Sequence, residues 1–352
     1  MRSVLPAIRA AMEDHFAVPV TGIERLWSGT TGVHARATTT SGAVFAKTYP
    51  LRADFPYEQL NVDIVRGWAS TPIPTAAPLP TTGGAWIHQQ PGLALSVWQW
   101  ADGAPARTLT AGQAAAIGKT LAHLHRHLDR LTLPTLPVNA EQHRTRPADQ
   151  IRERFQRLLA ELRLPPHHAA KAATLEQVRR RLDQLRHLED LRDGLTPAQL
   201  GRVHGDVASP NLLFHGETLT AVLDPRIQIA DRARELGRIA FDPHTVAADD
   251  TWPATALACV SAYVAADGPI LAAEIAFCAR LALLHAMTST YPLADILTGR
   301  QAAKVRAQQH RYWSDRAITV DRLLAALPDL ERQLPAVTER AQQSAPAAGG
   351  RS

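Results

Sequence analysis

The residues of this chain that are best suited to chemistry stand close together in one polar segment. Asp206 follows a His-Gly pair, Asn211 comes five positions later, and Asp224 ends an apolar stretch beyond them. A carboxylate can orient an attacking hydroxyl group and accept its proton, and carboxylate and amide oxygens can hold Mg²⁺ on phosphates. The pattern therefore indicates phosphoryl transfer, with Asp206 as the catalytic base and with Asn211 and Asp224 as metal ligands.

A structural interpretation of the same residues is a turn, stabilised by Asp206, that precedes a β-hairpin. The segment after Asn211 does contain two apolar stretches joined at His215-Gly216. That hairpin would bring Asp224 back beside Asp206 and Asn211, so that three oxygen-bearing side chains converge. Asparagine occurs only three times in the chain, which makes the pattern specific, and we favour the chemical interpretation.

Lys47 is the next candidate, in the apolar segment AVFAKTY. Lysine and arginine together number 38, but only four of them are lysines. A lysine in a predicted strand of a chain that otherwise uses arginine suggests a requirement for a compact ammonium group. The alternative is a strand lysine whose stem is buried and whose amine reaches solvent.

The elements that must position these residues fall into two parts. Up to about residue 102 the chain has short β-rich segments broken by Gly and Ser, with one helical segment from about Tyr57 to Ala69. A helix with an apolar stripe through Val4, Ile8, Met12 and Phe16 precedes them. From Thr110 onward helical spacing dominates, interrupted by the segment that carries Asp206.

We therefore predict an α+β fold with two lobes. A small antiparallel β-rich lobe would occupy residues 1–102, a mostly helical lobe residues 103–340, and a disordered tail residues 341–352. Ligands often bind where two such lobes meet.

Composition sets the class of protein. The chain is 45% hydrophobic and 20% charged, as is ordinary for globular proteins, and its net charge is +5. The start lacks the apolar core of a signal peptide, and no apolar segment is long enough to span a bilayer, so we expect a cytoplasmic protein without a membrane partner. Cys259 and Cys278 lie in apolar helical segments and are expected to be buried and inert.

Basic residues cluster between Arg144 and Arg202. A nucleic-acid surface is one interpretation of this run, and a solvated helical face is the other. Acidic residues are interleaved with the arginines, and no aromatic stacking platform accompanies them. We therefore favour the solvated face and expect no nucleic-acid partner.

The pattern VHGDVASPNLLF…AVLDP resembles the catalytic loop and metal-binding strand of the aminoglycoside phosphotransferase and choline kinase-like small-molecule kinases, distant relatives of protein kinases. The likeness covers about residues 25–240. It implies a protein-kinase-like fold, ATP and Mg²⁺ as cofactors, and a small-molecule hydroxyl group as acceptor. The segment between Asp224 and Glu235 is too short for a protein-kinase activation loop, which favours a small substrate.

The resemblance also implies roles for residues near the nucleotide. Lys47 would contact the α- and β-phosphates and pair with a helix carboxylate, for which Glu58 is the candidate and Asp63 the alternative. The carbonyl of Gln99 and the N–H of Ala101, in the linker between lobes, would pair with adenine. A polar turn that begins with three small residues would cover the phosphates with its backbone N–H groups: Ser28, Gly29 and Thr30.

Two further roles follow from the resemblance. Glu235 stands where aspartate is more usual and would brace the catalytic loop. A histidine in the helix that contains His123 and His125 would be structural. Two residues that are two positions apart on a helix do not face one ion, so a metal site there is not expected.

The acceptor site of such kinases is normally built from C-terminal helices, here from about 251 to 337. Acidic candidates in that region are few, and the polar and aromatic cluster from His310 to Asp315 could line the site. Polycationic acceptors need a strongly acidic pocket, so a neutral or modestly charged acceptor, antibiotic or metabolite, is expected. The acidic candidates are Asp249, Asp250, Asp267 and Glu274.

The alternatives at the level of the whole protein are a kinase-fold protein that binds nucleotide without catalysis, and a basic nucleic-acid-binding helical protein. The presence of Lys47, Asp206, Asn211 and Asp224 together argues against the first. Salt-dependent binding to DNA or RNA would support the second.

Overall fold

The computed structural model of the chain describes residues 4–26, 32–139, 142–163, 169–298 and 303–344. The chain folds into two compact units. The first contains the residues up to Ala104 together with Asn211–His215 and Leu219–Pro225. The second contains Pro105–Pro210, Gly216–Thr218 and the residues from Arg226 onward.

The strands of the described chain, in sequence order, are β1 (Val20–Leu26), β2 (His34–Thr39), β3 (Gly42–Thr48), β4 (Pro78–Leu79), β5 (His88–Gln90), β6 (Leu93–Gln99), β7 (Ala104–Pro105), β8 (Leu200–Val203), β9 (Leu212–His215), β10 (Thr218–Val222) and β11 (Gln228–Asp231).

The helices, likewise, are α1 (Leu5–Phe16), α2 (Phe55–Trp68), α3 (Ala111–Arg130), α4 (Gln142–Thr145), α5 (Ala148–Arg163), α6 (Ala169–Gln184), α7 (Leu188–Arg192), α8 (Arg232–Ala240), α9 (Pro243–Ala248), α10 (Trp252–Ala265), α11 (Ala272–Ile275), α12 (Cys278–Thr288), α13 (Leu293–Thr298) and α14 (Ala303–Ser344).

The first unit is built on a six-stranded sheet with the order β1-β2-β3-β6-β4, in which β5 also pairs with β6. Neighbouring strands run antiparallel, as the alternating sequence predicts. One face of the sheet packs on α1, whose buried Ile8, Met12 and Phe16 form the predicted stripe. Because side chains alternate along a strand, burial of Val44 and Ala46 in this core directs Lys47 to the opposite face.

The hairpin of β9 and β10 turns at Gly216, which has a φ of 59°, at the predicted position. Hydrogen bonds to the backbone of Val222 hold its second strand in the first unit. The N–H of Val222 donates to the carbonyl of Pro74 (2.8 Å), and its carbonyl accepts from the Thr75 hydroxyl (3.0 Å). Asn211 and Asp224, at the two ends of the hairpin, are therefore held in the first unit.

The second unit is mostly helical, which confirms the predicted fold class. In it, α3 packs against α10, and the backbones come so close that a Cβ on Gly118 would lie 2.0 Å from the carbonyl oxygen of Cys259. Strands β8 and β11 form a two-stranded antiparallel ladder beside α8. Both cysteines are fully buried, as expected, and form no disulfide, and burial raises the pKa of the Cys259 thiol to about 12.

Two sequence expectations change. α14 continues to Ser344, four residues into the segment predicted to be disordered, and the positions after 344 lie outside the described residues. In the RRR run, Arg179 and Arg180 are exposed as expected of a solvated face, but Arg181 is only 1% exposed. None of the helices in the described ranges combines the length and the apolar character needed to cross a membrane.

Candidate active site

Lys47 and Asp224 meet within the first unit. The Lys47 Nζ lies 2.5 Å from the Asp224 Oδ1, although the residues are 177 positions apart in the chain. The lysine side chain is only 14% exposed and also lies over the ring of Tyr49, 5.0 Å from its centroid. The predicted phosphate-binding lysine and the predicted metal ligand thus share one site. Sequence reasoning assigned Asp224 to the metal alone and missed its direct contact with the lysine.

Asp224 has an unusual backbone conformation. Its φ of 53° lies in the left-handed region, which costs a non-glycine residue about 1–3 kcal/mol and is concentrated at functional sites. The preceding residue is fixed by a hydrogen bond from the N–H of Leu223 to the carbonyl of Asn211 (2.8 Å). The fold therefore holds the Asp224 carboxylate in a set direction and places the backbone of Asn211 next to it.

The donor chemistry of Asn211 and Asp224 fits Mg²⁺. One carboxylate and one amide supply hard oxygen ligands, and protein Mg²⁺ sites commonly use one or two such groups with phosphates and water completing the shell. Across the residues that the structure describes, no cluster of three or more His, Cys, Asp or Glu side chains is placed to hold a metal.

Glu58 is buried in the first turn of α2, near the same site. Burial raises the pKa of Tyr49, Lys47 lowers it, and the charges of Glu58 and Asp224 raise it, so that all three charged groups act on one phenol. The alternative partner, Asp63, accepts a hydrogen bond from Gln59 one turn along the helix. Glu58 stays our prediction for the second carboxylate near Lys47.

The residues predicted to contact adenine lie at the end of β6 and just beyond it. Gln99 is the last residue of β6 and its N–H donates to the carbonyl of Ala77 (2.8 Å); Ala101 follows two positions later. Trp98 is partly buried and donates to the Ser96 hydroxyl (2.7 Å), while Arg36 stacks over Trp100. The predicted phosphate-covering residues Ser28, Gly29 and Thr30 lie outside the described residues.

Asp206 belongs to the second unit, in a loop whose path depends on glycine. Gly205 has a φ of 85°, and a Cβ there would lie 2.1 Å from the carbonyl oxygen of Arg226. That close approach is fixed by the N–H of Arg226, which donates to the carbonyl of His204 (2.7 Å). The N–H of Asp206 in turn faces the Nδ1 of His204 (3.3 Å). Only glycine fits at 205, and the loop presents the carboxylate that follows it.

Glu235 holds the backbone of this loop through its carboxylate. Its carboxylate accepts hydrogen bonds from the backbone N–H groups of His204 (3.1 Å) and Gly205 (2.6 Å), as well as from the Nε2 of His125 (2.9 Å). The hydroxyl of Tyr263 contacts the other ring nitrogen of His125 (2.8 Å). The supporting role inferred for Glu235 is what the structure shows, and His125 is structural.

The charges in this buried network are settled by its hydrogen bonds. Burial alone would raise the pKa of Glu235, but the hydrogen bond and charge of His125, the charge of His204 and the hydrogen bond from the Gly205 N–H outweigh it and lower the pKa to about 2. Burial lowers the pKa of His125, and the hydrogen bond to Glu235 opposes that shift. Glu235 is therefore ionised over the ordinary pH range and accepts from the Nε2 of His125.

Two tyrosines of the second unit, Tyr291 and Tyr312, form a small aromatic cluster with His244. Burial raises the pKa of Tyr291 and of Tyr312, and the negative charge of Asp206 adds to both shifts. The rings of the two tyrosines are 6.0 Å apart, and Tyr312 also meets the ring of His244, which bonds to Asp315 (2.6 Å). Tyr312 and Asp315 belong to the cluster predicted at 310–315. Sequence reasoning missed Tyr291 and His244, because no local pattern links them to Asp206.

The acidic residues that the sequence offered for the acceptor site differ in their burial. Glu274 is buried and bound by Arg144 (3.0 Å) and by the Thr196 hydroxyl (2.6 Å), so it has a structural role. Asp249 and Asp250 are exposed beside Arg322. The carboxylates that act on the tyrosines near Asp206 are instead those of Asp242, Asp295 and Asp206 itself.

Comparison with known proteins gives one family match. Residues 22–269 match the model of the phosphotransferase enzyme family (APH). No curated protein sequence matches the chain.

Solved structures with the same fold are numerous but distant in sequence. Spectinomycin phosphotransferase APH(9)-Ia, in complex with ADP and spectinomycin, aligns at a TM-score of 0.66 and 15% identity over 91% of this chain and 97% of its own. Amicoumacin kinase hAmiN, in complex with AMP-PNP and Ca²⁺, aligns with a TM-score of 0.58 and 15% identity over 90% of this chain and 93% of its own. A microcompartment-associated aminopropanol kinase aligns with a TM-score of 0.54 and 16% identity over 92% of this chain and 98% of its own.

Proposed function

Because this chain belongs to the phosphotransferase enzyme family and is a small-molecule kinase, we propose that it transfers the γ-phosphoryl group of ATP to a hydroxyl group of its acceptor. The observation that carries the proposal is the 2.5 Å contact between Lys47 and Asp224. It unites, in one folded unit, a partly buried cation suited to phosphates and a carboxylate suited to a metal. A purely structural ion pair would not require the left-handed backbone of Asp224.

In the proposed reaction Asp206 acts as the base. Its carboxylate orients the acceptor hydroxyl and takes its proton while the hydroxyl oxygen forms a bond to the γ-phosphorus. The bond between that phosphorus and the β,γ-bridging oxygen breaks, and ADP leaves with the electron pair. The bracing of the loop by Glu235 keeps the base in place, since catalysis here depends on positioning.

The remaining roles concern the nucleotide. Lys47 would bind phosphate oxygens, with Glu58 as a second carboxylate beside it. Asn211 and Asp224 would hold Mg²⁺, which when bound neutralises phosphate charge. Gln99 and Ala101 would pair with adenine through the backbone, and residues 28–30 would cover the phosphates.

For the acceptor, we propose a neutral or modestly charged small molecule, an antibiotic or a metabolite, in the cytoplasm. Charges of both signs act on Tyr312, which belongs to the cluster expected to line the acceptor site: Arg238 and Arg316 on one side of the balance, Asp242 and Asp206 on the other. Such a balance disfavours a polycationic ligand. The solved relatives named above act, by their names, on spectinomycin, amicoumacin and aminopropanol, which are all small organic molecules.

A screen tests this function. The full chain is incubated with ATP and Mg²⁺ and, in separate reactions, spectinomycin, kanamycin, erythromycin, glucose, choline or 1-amino-2-propanol. ADP release is followed, and products are examined by mass spectrometry. We expect at least one acceptor to gain one phosphoryl group, with no product in a matched reaction without divalent metal. ATP binding without transfer to any hydroxyl compound, in this panel or a wider one, would favour the non-catalytic alternative.

A further inference from the structure

The ammonium group of Lys47 lies over the ring of Tyr49, which follows it by two positions in the chain. Its Nζ is 5.0 Å from the ring centroid, within the distance at which the negative face of an aromatic ring attracts a cation. The lysine side chain is 14% exposed and Tyr49 is 6% exposed. Because this attraction grows as water is excluded, the contact stabilises the ammonium group at its observed position.

Strand pairing places the neighbours of Tyr49 on the same face of the sheet. Lys47 pairs with Ser96 across β3 and β6, and directly opposed residues of an antiparallel pair share a face. Tyr49 and Trp98 are each two positions further along the chain, so their side chains point the same way. These side chains therefore lie together on the face of the sheet away from α1, within the first unit.

Ser96 holds the hydroxyl end of the tyrosine. It is fully buried, and its hydroxyl lies 3.0 Å from that of Tyr49 and accepts a hydrogen bond from the indole N–H of Trp98 (2.7 Å). A buried hydroxyl is costly unless it is hydrogen-bonded, and this one joins two aromatic side chains. At its other end the residue is held by its backbone N–H, which donates to the carbonyl of Ala94 (3.0 Å). The ring is thus fixed at both ends.

The ring acts on Lys47 differently from the carboxylate that lies 2.5 Å from its Nζ. That carboxylate belongs to Asp224, which we propose as a metal ligand, so its contact with the lysine competes with its proposed role. An aromatic ring carries no net charge and attracts the ammonium group without neutralising it. The positive charge accordingly stays available to a phosphate oxygen while the ring fixes its position.

We propose that Tyr49 is the positioning residue for Lys47: its ring, anchored through Ser96, holds the ammonium group where the proposed phosphate contact is made. This inference rests on the proposed kinase function and on the role of Lys47 within it. Tyr49 acts through the ammonium group alone, so its effect on nucleotide binding should vanish when that group is removed.

A double-mutant cycle on Mg²⁺-ATP binding tests the proposal by titration calorimetry. Tyr49→Leu removes the ring and should raise the Kd for ATP about 3- to 10-fold, as expected when a largely desolvated cation–π contact is lost. In the Lys47→Met background the same substitution should change the Kd by less than about twofold. Tyr49→Phe keeps the ring and should recover most of the lost affinity. Equal fold-changes in the two backgrounds would show that Tyr49 acts through packing alone, and would overturn the proposal.

Phe16→Leu is the matched control. Phe16 belongs to the same unit and is likewise 6% exposed, but it lies in the core on the face of the sheet that packs against α1. The substitution removes an aromatic ring of similar size, and the Kd for ATP should stay within about twofold of the wild-type value. A rise as large as that of Tyr49→Leu would mean that the whole unit has loosened, and the positioning role would be wrong.

The outcomes separate this inference from the function on which it rests. If Lys47→Met weakens ATP binding and Tyr49→Leu does not, the function stands and Tyr49 is misassigned. If neither substitution changes ATP binding in a chain that phosphorylates an acceptor, the role of Lys47 is wrong and the inference fails with it, although the kinase function stands. If the wild-type chain does not bind ATP, both proposals fail together.

Discussion

Lys47 owes its proposed role to the type of its side chain and to its strand. The strand alternation directs its side chain to the face of the sheet away from α1, where its ammonium group meets Asp224 and the ring of Tyr49. A compact ammonium on a flexible stem can exchange one oxygen partner for another, so the same group can meet a phosphate oxygen.

Replacement of Lys47 by methionine should weaken ATP binding. The expected rise in the Kd for ATP is about 10- to 100-fold, because a hydrogen bond to a charged group contributes about 1.5–3 kcal/mol. Titration calorimetry of the variant gives this value. Lys119→Met, in which an exposed lysine of α3 is removed, serves as the control and should bind ATP like the wild-type chain. Equal affinities in all three proteins would contradict the role of Lys47.

Glu235 should make stability depend on pH. Its pKa falls from an ordinary value of 4.5 to about 2 in the folded chain, so its stabilising effect is complete above pH 4.5 and is lost as the pH falls from 4.5 toward 2. The shift corresponds to about 3 kcal/mol. Urea unfolding of Glu235→Gln should show a deficit of that order near neutral pH that shrinks below pH 4.5. The exposed Glu176→Gln is the control, and a deficit independent of pH would show that Glu235 acts only through packing.

Among the elements, the loop between β8 and β9 is the one on which the proposed base depends. It is fixed at its beginning by hydrogen bonds, from Arg226 to His204 and from His204 and Gly205 to Glu235. Its backbone leaves no room for a side chain at Gly205. The position of the Asp206 carboxylate is thus a property of the loop as a whole.

Alanine at position 205 should therefore displace Asp206. Gly205→Ala is expected to lower kcat/KM for transfer by about 100-fold, since small misplacements of catalytic groups cost that much. Gly194→Ala is the matched control, because Gly194 also has a positive φ, of 71°, but nothing lies within 4 Å of its Cβ position. That variant should lose only about 1–2 kcal/mol of stability and keep its rate. Comparable losses of rate in both variants would argue against a dependence on the loop.

Elements with a regular period could be predicted from sequence, whereas long-range partners could not. The stripe through Ile8, Met12 and Phe16 defines α1, and the alternation around Lys47 defines β3, because each periodicity reports one buried face. The junction of Tyr291 with Tyr312 has no such signal. It joins the segment after α12 to α14 and therefore depends on packing between helices that are distant in the sequence.

At the scale of the whole molecule, the order of β-rich and helical parts was predictable because composition and periodicity change near residue 102. The assignment of the hairpin was not. β9 and β10 interrupt the helical part of the sequence, yet most of their residues belong to the first unit. Hydrogen bonds from the hairpin to Pro74 and Thr75 decide this, and sequence patterns do not report such contacts.

The candidate site was predictable to a similar degree. The segment from Asp206 to Asp224 was identifiable because its residue types and spacing match a single chemistry. The contact of Lys47 with Asp224 was not, since it spans 177 positions. Glu235 could be assigned only by resemblance, and its three hydrogen bonds became visible in the fold.

The most direct test of the central claim separates binding from transfer in one variant, Asp206→Ala. Equilibrium binding of Mg²⁺-ATP and the rate of phosphoryl transfer are measured side by side in the variant and in the wild-type chain. If Asp206 is the base, the Kd for Mg²⁺-ATP stays within about threefold while the transfer rate falls about 10²- to 10⁴-fold, as when a general base is removed. A variant that transfers phosphate within about tenfold of the wild-type rate would contradict the assignment of Asp206 as the base.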